Sequence, residues 1–324
     1  MNSTRRVLSL QVLQAKQLDP DNQHYLLTPF PPSPPSRELR ESIHRFGILN
    51  PALVKKKAGK YIVVSGRKRL TAAIEQQDNA EFSCLVFAPS TPEVTVFTTL
   101  LEHAMLSAPL TVVEQAFFFR KLLRHCDENR AATLLPAMGH KAHPFRITKL
   151  LELLQLSRPS LLALHTGIIT QQSARMIMSL KPEEQKTLVA VIRSLRLGGS
   201  KQKKMIGMVL ELSRRHAASP DDVLADAGYG SDEVTAAENR PQLAAALLRQ
   251  LSRLCFPRLQ RAEEDFQSFR RSLRMPRSTT LSHSPAFEDD TLTLSIRFEN
   301  RGELQKKWDF IRPILGEKHG EKSG

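Results

Sequence analysis

A short basic turn is the feature of this sequence best suited to phosphate chemistry. The segment Val64-Ser-Gly-Arg-Lys-Arg-Leu-Thr-Ala-Ala73 leads from a predicted strand into a predicted helix, and Gly66 is followed at once by Arg67, Lys68 and Arg69. The free amides of a helix N-terminus, the helix dipole and the guanidinium groups would converge on one point. The pattern therefore predicts an anion cradle with a phosphate-binding role.

A second candidate site is a pair of short helices in the middle of the chain. Helices are predicted over Glu128–Met138 and Pro144–Leu156 with Gly139 starting the turn, the pattern of a helix-turn-helix. The side chains predicted to face inward on the second helix are Phe145, Ile147, Leu150, Leu151 and Leu154. The basic side chains predicted to reach base edges and phosphates from the other face and from the turn are Lys141, His143, Arg146 and Lys149. An ordinary helical hairpin with a solvated basic face is the alternative.

A third basic group stands at the start of a later helix. Gly198-Gly199-Ser200 precedes a helix that opens with Lys201, Lys203 and Lys204. Positive charge at a helix N-terminus opposes the helix dipole by roughly 0.3–1 kcal/mol per residue. A DNA phosphate would remove this conflict, because it would bind both the lysines and the free amides of the first turn. An exposed and well-screened lysine cluster is the alternative interpretation.

The positive charge of the chain is concentrated in its middle third. The 324 residues contain 47 Lys and Arg against 33 Asp and Glu, a formal net charge of +14. Residues 111–218 contain 18 basic and 7 acidic side chains, whereas residues 219–324 contain 16 and 17. Such a local excess is typical of a domain that binds a polyanion. We therefore expect double-stranded DNA to be the partner of the middle third.

The composition excludes several classes of protein. Hydrophobic residues at 41% and charged residues at 25% are globular values, which fit neither a disordered nor a fibrous chain. No apolar run approaches the roughly 20 residues of a membrane-spanning helix, and Met1–Ser9 lacks the apolar core of a signal peptide. Cys84, Cys126 and Cys255 are widely separated and predict buried thiols. We expect a cytoplasmic protein that does not enter a membrane.

The elements that must position the basic turn form a compact α+β unit. Five prolines in the nine residues of Thr28–Ser36 predict an extended connector. The predicted helices are Arg37–Phe46, Arg67–Gln77 and Pro92–Met105, and the predicted strands are Leu53–Lys56, Tyr61–Ser65 and Phe82–Phe87. The first two strands flank Lys57-Ala-Gly-Lys60, which predicts a hairpin with Gly59 in the left-handed region.

From Leu110 onward the hydrophobic periodicity is helical. Thr111 and Glu114 predict a capping box at the start of a helix over Val112–Cys126. Besides the helix pair, the predicted helices of this region are Pro159–His165, Gln171–Leu180, Pro182–Arg196 and Lys201–His216. The middle third is therefore expected to be an all-α domain.

The last third is expected to combine helices and strands. Its predicted elements are a long helix over Pro241–Met275, strands near Thr279–His283 and Thr291–Phe298, and a helix over Gly302–Leu315. The leucines of the long helix fit a coiled-coil dimer seam and packing on the two-stranded sheet equally well. The chain thus predicts a multi-domain α+β protein, with domains over 1–108, 109–218 and 241–324 and a linker over 219–240. The last domain is expected to serve dimerisation or partner binding.

The order of these features resembles the ParB partition-protein family. In that family a helix, a Gly-x-x-x-Pro stretch, a hairpin and a Gly-Glu-Arg-Arg-x-x-Ala box follow one another. Here Gly47-Ile-Leu-Asn-Pro51 and Gly66-Arg-Lys-Arg69 take the places of the two motifs. The similarity continues through Leu110–Ala116, the helix pair and the Gly-Gly-Ser-Lys helix.

The resemblance implies a ParB/sulfiredoxin-like α+β N-terminal domain followed by a helix-turn-helix domain. It implies binding to centromere-like DNA, a CTP-gated clamp formed by a homodimer, CTP with Mg²⁺, a partition ATPase as partner and a location on the nucleoid. It places Lys141, Arg146 and Lys149 at the DNA. At the nucleotide phosphate it places Gly66 and Arg69. The further residues that we predict to bind the nucleotide are Gly47, Pro51, Arg67 and Lys68.

Two departures from the family pattern bear on catalysis. Arg67 replaces the Glu of the arginine box, and the Glu-Asn-x-x-Arg box reads Glu102-His-Ala-Met-Leu106, so Glu102 alone is retained as the catalytic candidate. Loss of the Asn and Arg should weaken metal-assisted hydrolysis. We predict a ParB-like partition protein with at most weak CTP hydrolysis. The alternatives are a sequence-specific transcription regulator of the same fold without hydrolysis and a nucleotide-dependent phosphotransferase of the same N-terminal fold.

Overall fold

The chain divides into two compact units between Lys203 and Lys204. The computed structural model describes residues 7–76, 81–230, 239–273, 275, 279–284 and 291–316. The first unit begins with a mixed sheet and continues as helices, and the predicted boundary at residues 108 and 109 falls inside it. Among the described helices, none is both long enough and apolar enough to cross a membrane.

A five-stranded sheet forms the centre of the N-terminal part. Its strands are β1 (Leu8–Gln14), β2 (Leu18–Asp19), β3 (Ala52–Lys57), β4 (Lys60–Ser65) and β5 (Glu81–Phe87), in the spatial order β1-β5-β3-β4-β2. The pairs β1–β5 and β3–β4 are antiparallel, whereas β3–β5 and β2–β4 are parallel. Strands β3 to β5 match their predicted positions to within one residue. The edge strand β1 was not predicted, although Leu8, Leu10 and Val12 alternate with polar residues.

Helices cover both faces of this sheet. The helices α1 (Arg37–Phe46) and α2 (Arg67–Ile74) share one buried cluster with the sheet, and α3 (Glu93–Met105) shares the other. Neighbouring residues of β3 alternate between the two clusters, because successive side chains of a strand point to opposite faces. The predicted start of α1 is confirmed, since the Ser36 side chain accepts a hydrogen bond from the Leu39 amide at 3.3 Å.

The cluster on the α3 side continues into the helices that follow. These are α4 (Val112–Leu122), α5 (Glu128–Ala132) and α6 (Pro144–Leu151), and all three contribute buried side chains to it. The capping box of Thr111 and Glu114 is confirmed. One hydrophobic core therefore runs from the sheet into the basic helical region.

The predicted helices of this region are shorter in the structure. The helix predicted over Val112–Cys126 ends at Leu122. The helix predicted over Glu128–Met138 breaks after Ala132 and resumes as a 3₁₀ helix, Leu135–Met138. Pro136 explains this break, because a proline lacks the amide that would continue the α-helical ladder. The second helix of the pair ends at Leu151 and is followed by the 3₁₀ helix Glu152–Gln155.

Buried glutamines brace the starts of three helices. The later helices of the first unit are α7 (Arg158–His165), α8 (Gln171–Ile177), α9 (Pro182–Leu195) and the beginning of α10 (Gly199–His216). Gln115, Gln185 and Gln202 lie in the first turns of α4, α9 and α10, and each is at most 7% exposed. Each Nε2 donates to the carbonyl five residues earlier, at 2.9, 3.0 and 2.8 Å. The same local device thus ties each of these helices to the segment before it.

Gln202→Leu is expected to lower the free energy of unfolding by about 3 kcal/mol or more. The Gln202 amide also accepts from the Thr170 amide and the Ser173 hydroxyl and donates to the Ile168 carbonyl. Leucine has a similar size but leaves these groups unpaired, at roughly 1–3 kcal/mol for each buried group. Urea unfolding measures the loss, with Gln172→Leu, at an exposed position of α8, as the control. Equal stability of the two variants would contradict the assignment.

The second unit contains helices and a separate two-stranded sheet. Its elements are α11 (Pro220–Asp226), α12 (Arg240–Cys255), α13 (Pro257–Ser272), β6 (Thr279–His283), β7 (Leu292–Ile296) and α14 (Arg301–Gly316). The helix predicted over Pro241–Met275 is broken at Phe256, because Pro257 cannot donate to the ladder. The Phe266 ring of α13 lies 4.6 Å from the His283 ring. The helix therefore packs on its own hairpin, one of the two arrangements that the sequence allowed.

Two further sequence predictions have outcomes in the described residues. The segment predicted as a linker over 219–240 begins with the helix α11, which Ser219 and Asp222 start with a capping box. Residues 231–238 of that segment lie outside the described residues. The thiols of Cys84 and Cys255 are buried as predicted, whereas Cys126 is half-buried. Burial raises the pKa of the Cys84 thiol to about 11, so it is an inert thiol.

Candidate nucleotide cleft and nucleic-acid surface

An open cleft of about 740 Å³ lies where β4 ends and α2 begins. Its volume falls within the roughly 300–1,000 Å³ of small-molecule sites. Pro51 and the predicted cradle from Gly66 to Arg69 line it, together with Ser65 and His103. The structure thus brings five of the six predicted nucleotide residues to one cleft. Gly47 ends α1 at φ +69° and is not part of the lining.

Gly66 begins α2 in a conformation that only glycine adopts easily. Its φ is +89°, in the left-handed region, and it precedes the first helical residue. A Cβ built on Gly66 would lie 3.1 Å from the Ala52 Cα and 3.0 Å from Nη2 of Arg69. The backbone of the turn therefore passes close to β3, and the floor of the cleft has no room for a side chain.

The basic triplet divides into one anchored and two available side chains. Nη2 of Arg67 donates to the Asn22 carbonyl at 2.6 Å, which ties the turn to the segment after β2. Burial lowers the pKa of Arg67, opposed by Asp21 and Asp19. Arg69 is half-buried and Lys68 is exposed, and neither has a hydrogen-bond or ion-pair partner among the described residues. These two cations are free to meet an anion in the cleft.

The structure brings a histidine to the cleft in place of the predicted carboxylate. Glu102 is exposed and does not line the cleft, whereas its neighbour His103 does. Nδ1 of His103 lies 3.0 Å from the Ser65 hydroxyl. Burial, together with the charge of Arg69, lowers the pKa of His103 and favours its neutral form. Its position in the Glu102-His-Ala-Met-Leu106 segment, where the ParB pattern has Asn, is the signal that could have found it.

The basic residues of α6 differ in how free they are. His143 caps the helix, because its Nδ1 accepts from the Phe145 amide at 3.2 Å. Lys149 forms an ion pair with Glu152 at 2.8 Å and lies 5.2 Å from the centre of the Phe145 ring. Lys141 is exposed in the turn. The charge of Lys149 is therefore partly neutralised by the first residue of the 3₁₀ helix that follows α6.

Arg146 of α6 is held among polar side chains of the helical region. Its Nη2 lies 3.4 Å from Nε2 of His140, and that nitrogen lies 3.0 Å from Oε1 of Gln115. Its Nε is buried without a hydrogen-bond partner among the described residues. Burial and the nearby charge of Arg175 lower its pKa. Two arginines close to each other form a local positive site that suits a phosphate.

Phe145 does not face inward as predicted. Its side chain is 61% exposed, while Ile147 and Leu150 are fully buried. Residues two apart on an α-helix are rotated by roughly 200°, so Phe145 points away from the face that holds Ile147. It lies instead beside Lys149, four residues later, on the exposed face.

The three lysines at the start of α10 are all exposed. Lys201, Lys203 and Lys204 follow Gly199, the first residue of this helix. The buried Gln202 between them fixes this end of α10 to the preceding segment. The structure thus leaves these lysines exposed to solvent, which both interpretations of the sequence allow.

Comparison with known proteins identifies the N-terminal part. Residues 6–101 match the family model of the ParB N-terminal domain. This stretch of the chain is similar to the ParB N-terminal domain. The resemblance seen in the sequence is thereby confirmed. The basic turn from Gly66 to Arg69 lies within the matched residues, whereas His103 of the cleft lining follows them.

The relatives found are partition proteins. A probable chromosome-partitioning protein ParB of Campylobacter jejuni is 27% identical over 172 residues, which span 52% of this chain and 59% of that relative. A C-terminally truncated ParB from Caulobacter crescentus complexed to the centromeric parS site is 20% identical, with 59% of this chain and 96% of that one covered and a TM-score of 0.34. The same protein complexed with CTP-γ-S is 21% identical, with 57% and 98% covered and a TM-score of 0.24.

Proposed function

We propose that this chain is a ParB-like partition protein that binds DNA through its helical region and a nucleotide in the cleft of its ParB N-terminal domain. One observation carries the proposal. The cleft at the N-terminus of α2 presents Lys68 and Arg69 without partners among the described residues, over a glycine floor. Backbone amides at a helix N-terminus and free cations are the groups that bind phosphate.

CTP is the nucleotide that the family resemblance implies for this cleft. In the proposal, Gly66 admits the phosphates close to the backbone, and Arg69 and Lys68 neutralise them. Pro51 and Leu106 supply apolar surface on the lining, and Ser65 and His103 supply polar atoms. Arg67 acts indirectly, because its guanidinium is bonded to the Asn22 carbonyl.

The DNA-binding part of the proposal rests on the basic surface of the helical region. Arg146 beside Arg175, and Lys201 and Lys203 at the start of α10, are cations that the described part of the chain does not neutralise with an ion pair. In the proposal α5 and α6 act as a helix-turn-helix, with Lys141 and His143 at the entrance of α6. A homodimer, a partition ATPase and a location on the nucleoid belong to the same proposal.

A regulator that binds nucleotide without hydrolysing it is the second candidate. The observation that favours it is the lining of the cleft, which contains no carboxylate from the described residues, since Glu102 faces solvent. Metal-assisted attack on a phosphate requires a ligand for the metal and a group that orients the water. We therefore propose that nucleotide binding, rather than turnover, is the main role of the cleft.

Photocrosslinking with radiolabelled CTP tests the proposal. We expect labelling of the wild type and a loss of label in Arg69→Ala, because this variant removes an unpaired cation of the cleft. Arg37→Ala, at an exposed position of α1, is the matched control and should label like the wild type. Equal labelling of both variants, or no labelling of the wild type with and without DNA, would contradict the nucleotide assignment.

A further inference from the structure

A cluster of metal-ligating side chains lies apart from the cleft. His24 follows β2, Glu93 is the first residue of α3, and His125 comes after α4. One ligand atom from each of the three lies within 4.8 Å of the others. None of the three lines the cleft at Gly66. Two imidazoles and a carboxylate are a ligand set that zinc takes in proteins, with the fourth position left open.

The distance between two of these ligand atoms is close to that of a zinc site. Nε2 of His24 lies 3.7 Å from Oε2 of Glu93, which is too long for a hydrogen bond. Tetrahedral bonds of roughly 2.0–2.2 Å place two ligand atoms about 3.4 Å apart. A small movement of either side chain would bring both atoms into the first coordination sphere of one ion.

The His24 nitrogen also lacks any other partner. Nε2 of His24 is buried and has no hydrogen-bond partner among the described residues. A buried polar atom without a partner is costly, so such an atom in a folded protein calls for a ligand or a bound water. A bound metal ion would supply the partner that this imidazole nitrogen lacks.

Neighbouring groups hold the carboxylate and one of the rings in place. The Tyr25 hydroxyl donates to Oε2 of Glu93 at 2.8 Å, and Lys55 donates to Oε1 at 2.9 Å. The His125 ring stacks on Phe97 with centroids 5.8 Å apart. Outer partners of this kind orient metal ligands. The charge of Lys55 opposes a cation, and it is paired with the oxygen of Glu93 that does not face His24.

We propose that His24, Glu93 and His125 together bind one Zn²⁺ ion per chain. The ion would join the segment after β2, the start of α3 and the end of α4, and so tie the ParB N-terminal domain to the first helix of the basic region. It leaves one coordination position for water. This site does not depend on nucleotide or DNA binding, because its residues are outside the cleft and outside α6.

Competitive titration of the full-length protein tests this site. The protein is stripped with a chelator and titrated with Zn²⁺ against a chromophoric chelator, and then with Co²⁺, whose visible absorption reports tetrahedral coordination. We expect one ion per chain and a rise of the melting temperature with Zn²⁺. His125→Ala changes an exposed residue and should fold normally. It should weaken binding by at least the roughly 10–100-fold that loss of an outer-shell partner costs.

Further variants distinguish metal binding at this site from metal binding by other histidines. His24→Gln should abolish the Co²⁺ absorption, and Tyr25→Phe should weaken Zn²⁺ binding by about 10-fold or more, because it removes an outer-shell donor. His44→Ala, at an exposed position of α1, is the control and should bind like the wild type. Failure of the wild type to bind one ion, or wild-type affinity for Zn²⁺ in His125→Ala and His24→Gln, would overturn the proposal. Equal weakening by His44→Ala would do the same.

Discussion

Gly66→Ala is expected to lower the free energy of unfolding by about 2–5 kcal/mol and to abolish nucleotide binding in the cleft. Two costs add. A residue with a Cβ at φ +89° is strained by roughly 1–2 kcal/mol. The Cβ would also lie 3.1 Å from the Ala52 Cα, and backbone cannot move aside as a flexible side chain can, so overpacking adds roughly 1–3 kcal/mol.

A second glycine of the same domain supplies the matched control. Gly59 in the β3–β4 hairpin has φ +83°, but a Cβ there would have nothing within 4 Å. Gly59→Ala therefore suffers the backbone strain alone and should lose about 1–2 kcal/mol. Urea unfolding of both variants isolates the steric part, and CTP crosslinking reports the cleft. Equal losses at Gly66 and Gly59 would show that the approach to β3 is not tight.

Arg146→Ala is expected to weaken selective binding of DNA by about 5- to 150-fold, which corresponds to roughly 1–3 kcal/mol for a specific contact. Lys149→Ala should cost less, because Glu152 already neutralises part of its charge at 2.8 Å. The double variant Arg146→Ala with Lys149→Ala should lose selective retention of DNA altogether. If Arg146 contacts a phosphate, its removal also changes the salt dependence. The slope of the logarithm of the binding constant against the logarithm of the salt concentration should fall in magnitude by about one. Binding is measured on a genomic fragment that the wild type selects and on random DNA.

The control for these variants is Lys186→Ala, an exposed lysine on α9. It removes the same formal charge from the same basic region and should leave the preference for the selected fragment unchanged. Circular dichroism verifies that Arg146→Ala is folded, because Arg146 also lies next to His140. Unchanged footprints of the double variant on the selected fragment would remove α6 as the recognition element.

Much of the N-terminal fold could be predicted because local signals coincide there. Ser36 and Gly47 bound α1 at the predicted residues, since a side-chain cap and a left-handed glycine act within one turn of chain. The hairpin around Gly59 is likewise a local structure. The longer predicted helices failed at Pro136 and Pro257, where a missing amide outweighed the continuing hydrophobic period.

The site residues were predicted less completely than the fold. The basic turn from Gly66 to Arg69 could be recognised, because a glycine and three cations adjoin in sequence. Its neighbours could not, since Ser65 and His103 come together only when α3 crosses the sheet. Glu102 and His103 are adjacent in sequence, and the rotation of α3 brings only the second to the cleft.

By itself, the sequence determined the chemical character of this protein: a glycine turn with three cations, a strongly basic middle third and the collinear motifs of a ParB N-terminal domain. The tertiary structure decided which of those charges are free. Arg67 is bonded to Asn22 and Lys149 to Glu152, whereas Arg69 is left without a partner among the described residues. The physical reason is that charge is a property of composition, whereas pairing depends on which distant segments the hydrophobic core brings within hydrogen-bond distance.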